Sequence, residues 1–274
     1  MSEAYIVSEK AISEFRLSGA TILRKFWSAA EMLQVEAAID EVGKRPGPMI
    51  DVFETDSDGR PLFYNDFNNW RRLSQLKQIC LADKVGEAFK ALTGSNDAYF
   101  FHDHVICKKA GATKATPWHL DKTYFMLDGP HTASFWTPTV PLKASESLKF
   151  AEGSHSKKMM LMARGFDSNT DLESEASFQD FSDHDIESGF KAISWDMELG
   201  DVLAFDFYTV HCAPAVKFDK DRKALSLRLV GDGTTFDARV ENPAPPFTKM
   251  GYKSLHGDPL DERWFPKYNV TNHE

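Results

Sequence analysis

Pro117-Trp118-His119-Leu120-Asp121 constrains this chain more than any other stretch. Side chains of an extended strand alternate between faces, so His119 and Asp121 point to one side while Leu120 turns into packing. A histidine and a carboxylate placed in this way can reach one point together, and a third ligand must then come from elsewhere. His211, 92 residues on (211−119), has a suitable setting. Gly200-Asp201-Val202-Leu203-Ala204-Phe205-Asp206-Phe207 reads as a turn and a strand, leading into Tyr208-Thr209-Val210-His211. Two imidazoles and one carboxylate on one side of a metal are the donor set of non-haem Fe(II) oxygenases, with further positions left open. Such a chain needs a fold that carries strand residues from distant parts of the sequence onto one inner face.

The hydrophobic pattern agrees with this requirement. From about Ala98 the period is two: Tyr99, Phe101, Val105 and Cys107 alternate against Phe100, His102, His104 and Ile106. Further strand patterns lie at 134–140, 148–150, 201–207, 210–216 and 223–230, separated by Gly, Pro and Asp turns. Many short strands of this kind predict a sandwich or barrel, and a jelly roll brings ligands from separated strands to one face. The first hundred residues read as mainly helical. Ser28 and Glu31 form a capping-box pattern, Met32, Val35, Ile39 and Val42 recur at helical spacing, and Arg45-Pro46-Gly47-Pro48 ends the run. A second stripe of Leu81, Val85, Ala88, Phe89 and Leu92 stops at Gly94. Both helices are expected to buttress a sheet. Residues 51–58 read as a polar loop before the aromatic patch 63–70, and the acidic stretch 167–185 reads as a loop insert. The aromatic tail, with Trp264-Phe265-Pro266 near its end, is expected to pack back. The expected organisation is one domain over 1–274, with a helical part over about 1–97, a core over about 98–232 and a packed tail over 233–274.

Four blocks carry a family resemblance: Pro117-Trp118-His119-Leu120-Asp121-Lys122-Thr123-Tyr124, Glu152-Gly153-Ser154-His155, Gly200-Asp201-Val202, and His211 followed by Arg222-Lys223-Ala224-Leu225-Ser226. In order and spacing they resemble the phytanoyl-CoA dioxygenase family of Fe(II)/2-oxoglutarate oxygenases, over nearly the whole chain. The resemblance implies a mainly β fold with flanking α-helices and a double-stranded β-helix core (jelly roll, cupin-like). It implies Fe(II), 2-oxoglutarate as cosubstrate, O2, and hydroxylation of a small-molecule metabolite with release of succinate and CO2. His119, Asp121 and His211 are then the catalytic metal ligands.

The same resemblance bears on the cosubstrate. In the family an arginine 11 residues after the second histidine holds the distal carboxylate of 2-oxoglutarate, and Arg222 stands there (222−211). Alternation places Arg222, Ala224, Ser226 and Arg228 on one strand face, so Arg228 is the alternative anchor. A guanidinium fork on that face suits a carboxylate. The family commonly sets a tryptophan like Trp136 against the cosubstrate, although a core role fits equally. Lys108, or its neighbour Lys109, is either a surface cation or a cosubstrate contact. Ala213 stands where some members offer a hydroxyl, which Ser226 could replace. Tyr124 is placed to face the pocket mouth. Asn65, Asn68, Asn69 and Trp70 form either a substrate wall or a capped loop.

Two other readings compete. His102 and His104 form an HxH pair that could build a different metal site, as in a cupin-type isomerase or dioxygenase that does not use 2-oxoglutarate. The barrel could also bind a ligand without turnover. His155 reads as a hydrogen-bonded turn histidine, and His131, His184, His256 and His273 fall in loops or tails. A net charge of −9 argues against a nucleic-acid or anionic-membrane partner and makes an acyl-CoA substrate less suitable than a small polar or amphiphilic metabolite. Three cysteines without a CxxC suggest neither disulfides nor zinc. Residues 1–5 show no basic or apolar leader pattern, and a soluble cytoplasmic protein is expected. Oligomeric state and substrate identity are not written in these patterns.

Overall fold

The computed structural model describes residues 5–159, 183–215, 219–240 and 243–268. Helices and strands alternate through the N-terminal part. The elements there are α1 (Glu9–Ser18), β1 (Ala20–Leu23), α2 (Ala29–Lys44), β2 (Asp51–Thr55), β3 (Pro61–Phe67), α3 (Ser74–Cys80) and α4 (Asp83–Thr93). The remainder is mainly β. It comprises β4 (Ala98–Lys108), β5 (Thr116–His119), β6 (Leu127–Asp128), β7 (Thr132–Pro138), β8 (Lys149–Ala151), α5 (Asp183–Gly189), β9 (Ala192–Ile193), β10 (Val202–Phe205), β11 (His211–Ala213), β12 (Arg222–Gly231) and β13 (Thr235–Phe236). No helix among the described residues is long and apolar enough to cross a membrane.

The expected helices form for the expected reasons. The Ser28 side chain accepts from the Glu31 amide and Glu31 reaches back to the Ser28 amide, so two orphan donors of α2 are satisfied together. Gly94 closes α4 in the left-handed region, at φ 76°. Helices α1 and α3 are additions to the two predicted stripes.

Seven strands form a large sheet in the order β1-β10-β7-β12-β4-β3-β2, and four form a smaller one in the order β5-β11-β8-β9. Strand β12 lies between β4 and β7, antiparallel to both. Its alternation holds as read: Leu225, Leu227 and Leu229 pack towards the helices with Val35, Ile39 and Phe89. Ala224 turns instead towards the smaller sheet, joining Trp136, Phe150, Phe205 and Ala213. Each such fully buried Leu or Phe contributes roughly 1.5–3 kcal/mol. The two sheets therefore share an inner layer, and the space between them is where polar side chains of β4, β5, β11 and β12 meet.

Three features depart from the sequence reading. Residues Asp51–Thr55 are not a loop; they are a polar edge strand whose partners are in β3. An edge strand with both faces near solvent carries no hydrophobic alternation to announce it. The N-terminal part is likewise not only helical, since β1, β2 and β3 complete the large sheet. In β4 the simple alternation fails at Phe101. Arg228 faces His102 and Leu229 faces Phe100, which leaves Phe101 as the extra residue of a bulge. Phe100 and Val105 consequently share the helix-side core, while Phe101 joins the aromatic cluster of the tail. The tail packs back as expected, burying Phe247, Tyr252 and Phe265 against Phe101 and Phe125. Within the acidic stretch 167–185, residues 167–182 lie outside the described residues, and the rest falls in α5.

Candidate metal centre

Strand pairing builds the site. His119 ends β5 and lies directly opposite His211, the first residue of β11, with ring centroids 4.2 Å apart. Leu120 continues in extended conformation (φ −127°, ψ 147°) before Asp121 opens a 3-10 turn, Asp121–Tyr124. The i, i+2 relation therefore survives although the strand itself stops at His119. The donor atoms of His119, Asp121 and His211 all lie within 4.8 Å of one another, the one such His/Cys/Asp/Glu group among the described residues. His102 and His104 gain no acidic third member, and their rings pack against phenyl groups instead.

Each ligand-type side chain is held from behind. His119 Nδ1–H donates to Pro117 O and His211 Nδ1–H to Thr209 O, both at 2.9 Å. That fixes both tautomers and leaves each Nε2 as the lone-pair nitrogen, as metal-binding histidines require. Asp121 accepts from Ser134 Oγ at 2.6 Å. Arg228 forms a buried ion pair with Asp121, its Nε 3.3 Å from Oδ2 and its Nη2 3.4 Å from Oδ1. The Nε contact is close enough for charge pairing but does not satisfy hydrogen-bond geometry. Burial pushes the Asp121 carboxyl up, but Arg228, the two histidines and the Ser134 hydrogen bond outweigh it and hold it at about 2. Burial lowers both histidines, His211 to about 3, with the neighbouring His119 adding to the effect. At neutral pH the group is thus a carboxylate and two neutral imidazoles. This donor set fits a divalent transition metal.

Two adjoining cavities meet at His119 and Asp121, and His211 lines the inner one. The inner one, of about 630 Å³, runs between the sheets past Trp136, Phe205 and Ala224 to Arg222 and Lys108. Arg222 and Lys108 are neighbours in the β12–β4 register. Arg222 Nη1 donates to Glu146 O at 2.8 Å, and Lys108 Nζ donates to Lys114 O at 2.7 Å and lies 4.4 Å from the Phe63 ring centroid. Burial, and then the charge of Arg222, lower Lys108 to about 7. The outer cavity, of about 520 Å³, is walled by Phe67, Pro117, Tyr124, Phe125 and Ala244.

Of the residues singled out in the sequence, Arg222, Lys108 and Trp136 line the inner cavity, and Trp136 also packs in the inter-sheet core. Ser226 is fully buried and its hydroxyl accepts from Arg228, apart from the cavity lining. Lys109 instead pairs with Asp221 at 3.0 Å. Tyr124 stands in the outer wall. Asn65 lines both cavities, whereas Asn68 holds the Trp70 indole and Asn69 holds Arg72 in a capped turn. His155 sits in the 3-10 turn Ser154–Lys157 with Nε2 3.2 Å from Arg16 O, and Ser154 Oγ accepts from the Val210 amide just before His211. The backing of Asp121 by Ser134 and Arg228 escaped the sequence, since neither residue is near it in the chain. The shared face of Arg222 and Arg228 was the available signal, but it could not tell their partners apart.

The model of the phytanoyl-CoA dioxygenase family matches residues 15–224. The chain belongs to this family. No curated protein matches it in sequence. Among solved structures, it is similar to SnoK, a non-heme alpha-ketoglutarate-dependent carbocyclase from nogalamycin biosynthesis, with TM-score 0.75 and 19% identity, covering 96% of this chain and 97% of that one. It is similar to the epimerase SnoN in complex with Fe3+, alpha-ketoglutarate and nogalamycin RO, with TM-score 0.74 and 17% identity, covering 95% and 98%. It is also similar to EctD from S. alaskensis, with TM-score 0.67 and 16% identity, covering 89% and 83%. These likenesses extend the family's fold to nearly the full length of the chain.

Proposed function

We propose that this chain is an Fe(II)- and 2-oxoglutarate-dependent oxygenase that hydroxylates a small molecule, built on a double-stranded β-helix. The single observation that carries the reading is one shared cavity. It is lined by His119, Asp121 and His211 and also by the buried cations Arg222 and Lys108. His119 Nε2, Asp121 and His211 Nε2 would hold iron, and Arg222 with Lys108 would hold the distal carboxylate of 2-oxoglutarate. Bound together, iron and 2-oxoglutarate supply an oxidant made from O2, with succinate and CO2 as coproducts.

The protein's own residues do the rest. Pro117 and Thr209 carbonyls orient the imidazoles, while Ser134 and Arg228 keep Asp121 ionised and fixed. The Trp136 and Phe205 rings exclude water from the inner space, which strengthens the pairing of a carboxylate with Arg222. The outer cavity receives the molecule to be oxidised. Proteins of the same fold include a carbocyclase and an epimerase, so product analysis, not fold, distinguishes hydroxylation from ring closure or epimerisation.

Succinate release from 2-oxoglutarate, with Fe(II) added, tests the reading. It should require iron and be lost in His119→Ala, Asp121→Ala and His211→Ala, while His155→Ala retains it. Iron binding and turnover by His211→Ala at the wild-type level would refute the metal assignment.

A further inference from the structure

The wall between the two cavities carries a polar feature that the metal and cosubstrate assignments leave unused. Asn65, on β3, is 1% exposed and lines both cavities. Its Oδ1 is buried and has no hydrogen-bond partner among the described residues. On the neighbouring strand β4, His104 also lines both cavities, and its Nε2 is likewise buried without a partner. The His104 ring is fixed by stacking on Phe67, with centroids 4.3 Å apart. Burial and the Arg228 charge hold this imidazole well below its ordinary range, so it is neutral at physiological pH.

Leaving a buried amide oxygen unpaired costs about 1–3 kcal/mol, and an apolar residue would avoid the penalty. Such a group is readily understood where a ligand completes it. Apart from His119 and Asp121, the rest of the outer wall is phenyl, phenol, proline, alanine and the Thr116 side chain, and its one cation among the described residues, Arg228, is already paired with Asp121. Among the described residues a charged molecule would find no unpaired counter-ion there, whereas a flat apolar ring would find matching surfaces. We infer that Asn65 and His104 are the substrate-anchoring pair for a hydroxyl group of an uncharged, ring-bearing substrate beside the metal, the O–H donating to Asn65 Oδ1 and its oxygen accepting from His104 Nε2–H. This deepens the reading above and rests on its assignment of the outer cavity to substrate.

The test uses two uncharged probes of similar shape, 1-tetralol and tetralin, which differ by one hydroxyl group. Binding is followed by ligand-observed NMR on the full-length protein with Fe(II) and 2-oxoglutarate under argon, and 2-oxoglutarate binding is read in the same samples. The wild-type protein should bind the alcohol roughly tenfold more tightly than the hydrocarbon, the scale of one or two net hydrogen bonds. Asn65→Leu and His104→Phe should each reduce that preference, with 2-oxoglutarate binding unchanged within about threefold. Asn65→Leu should also unfold at higher denaturant concentration than wild type, since it removes an unsatisfied buried amide.

Equal binding of the two probes, no binding of either, or an unchanged alcohol preference in Asn65→Leu would overturn the proposal. Marked destabilisation by Asn65→Leu would make the amide a structural group and also overturn it. Loss of 2-oxoglutarate binding in Asn65→Leu alone would transfer the amide to the cosubstrate. Failure of the wild-type protein to bind 2-oxoglutarate would instead sink the function proposed above, and the alcohol preference would still report on the pair.

Discussion

Arg222 and Arg228 share one face of β12, yet their surroundings divide them. Arg228 is buried against Asp121, and removing it leaves that carboxylate without its ionic partner. Arg228→Met should therefore cost about 3–5 kcal/mol of stability in the metal-free protein, read by chemical denaturation, and weaken iron binding. Arg222 lies at the far end of the inner cavity. Arg222→Ala should raise the KM for 2-oxoglutarate by about tenfold or more while iron binding stays intact, because charge-assisted hydrogen bonds are worth about 1.5–3 kcal/mol. The reverse pattern would exchange the two roles. Lys108 adds a pH dependence. With its folded pKa lowered to about 7, the free protein loses that proton above about pH 7, where the unfolded chain still holds it. Stability then rises with pH from about 7 towards the ordinary lysine range. Cosubstrate affinity moves the opposite way, since the carboxylate prefers the ammonium. KM for 2-oxoglutarate should climb above about pH 7, by up to about tenfold per unit, and Lys108→Met should flatten that climb.

Among the elements, the turn before β10 is a lock between the helical layer and the large sheet. Gly200 sits at φ 93°, its carbonyl accepts from the Trp27 amide, and an added Cβ would collide with the Trp27 carbonyl oxygen. Asp201 then ties down Arg24, Lys25 and Glu198. Gly200→Ala should destabilise by about 1–3 kcal/mol or more, seen as a lower denaturation midpoint, through strain in the left-handed region and the clash together. Much of this framework was legible in the residues themselves. The Ser28 capping box, the Gly94 stop, the leucine face of β12 and the His119/Asp121 spacing are all local signals, and each formed as read. What escaped was set by pairing between strands. The polar strand β2 is held by its pairing with β3 and by Glu54, which accepts from the Thr113 and Lys114 amides, and the bulge at Phe101 follows from register with β12. Neither leaves a periodic trace.

Taken whole, the molecule has two sheets that meet around a polar core, with helices behind the large sheet and an aromatic tail closing one side. Helix α5 backs the smaller sheet through Ile186 and a hydrogen bond from Trp118 Nε1 to Glu187. His119 and His211, far apart in sequence, become neighbours because β5 and β11 pair in a register that sets them opposite. The presence of both histidines was readable from motif and order; the cavities around them were not, because their walls draw on β3, β4, β12 and the tail at once. The claim that joins all of these parts is that one space holds iron at the triad and 2-oxoglutarate between the triad and Arg222. Anaerobic titration of the Fe(II)-loaded protein with 2-oxoglutarate, followed by the visible charge-transfer absorption of the iron–2-oxoglutarate chelate, tests it most directly. A saturable band should appear at one equivalent, absent in His211→Ala and reached only at about tenfold or more higher concentration in Arg222→Ala. No band in the wild-type protein, or an undiminished band in His211→Ala, would contradict it.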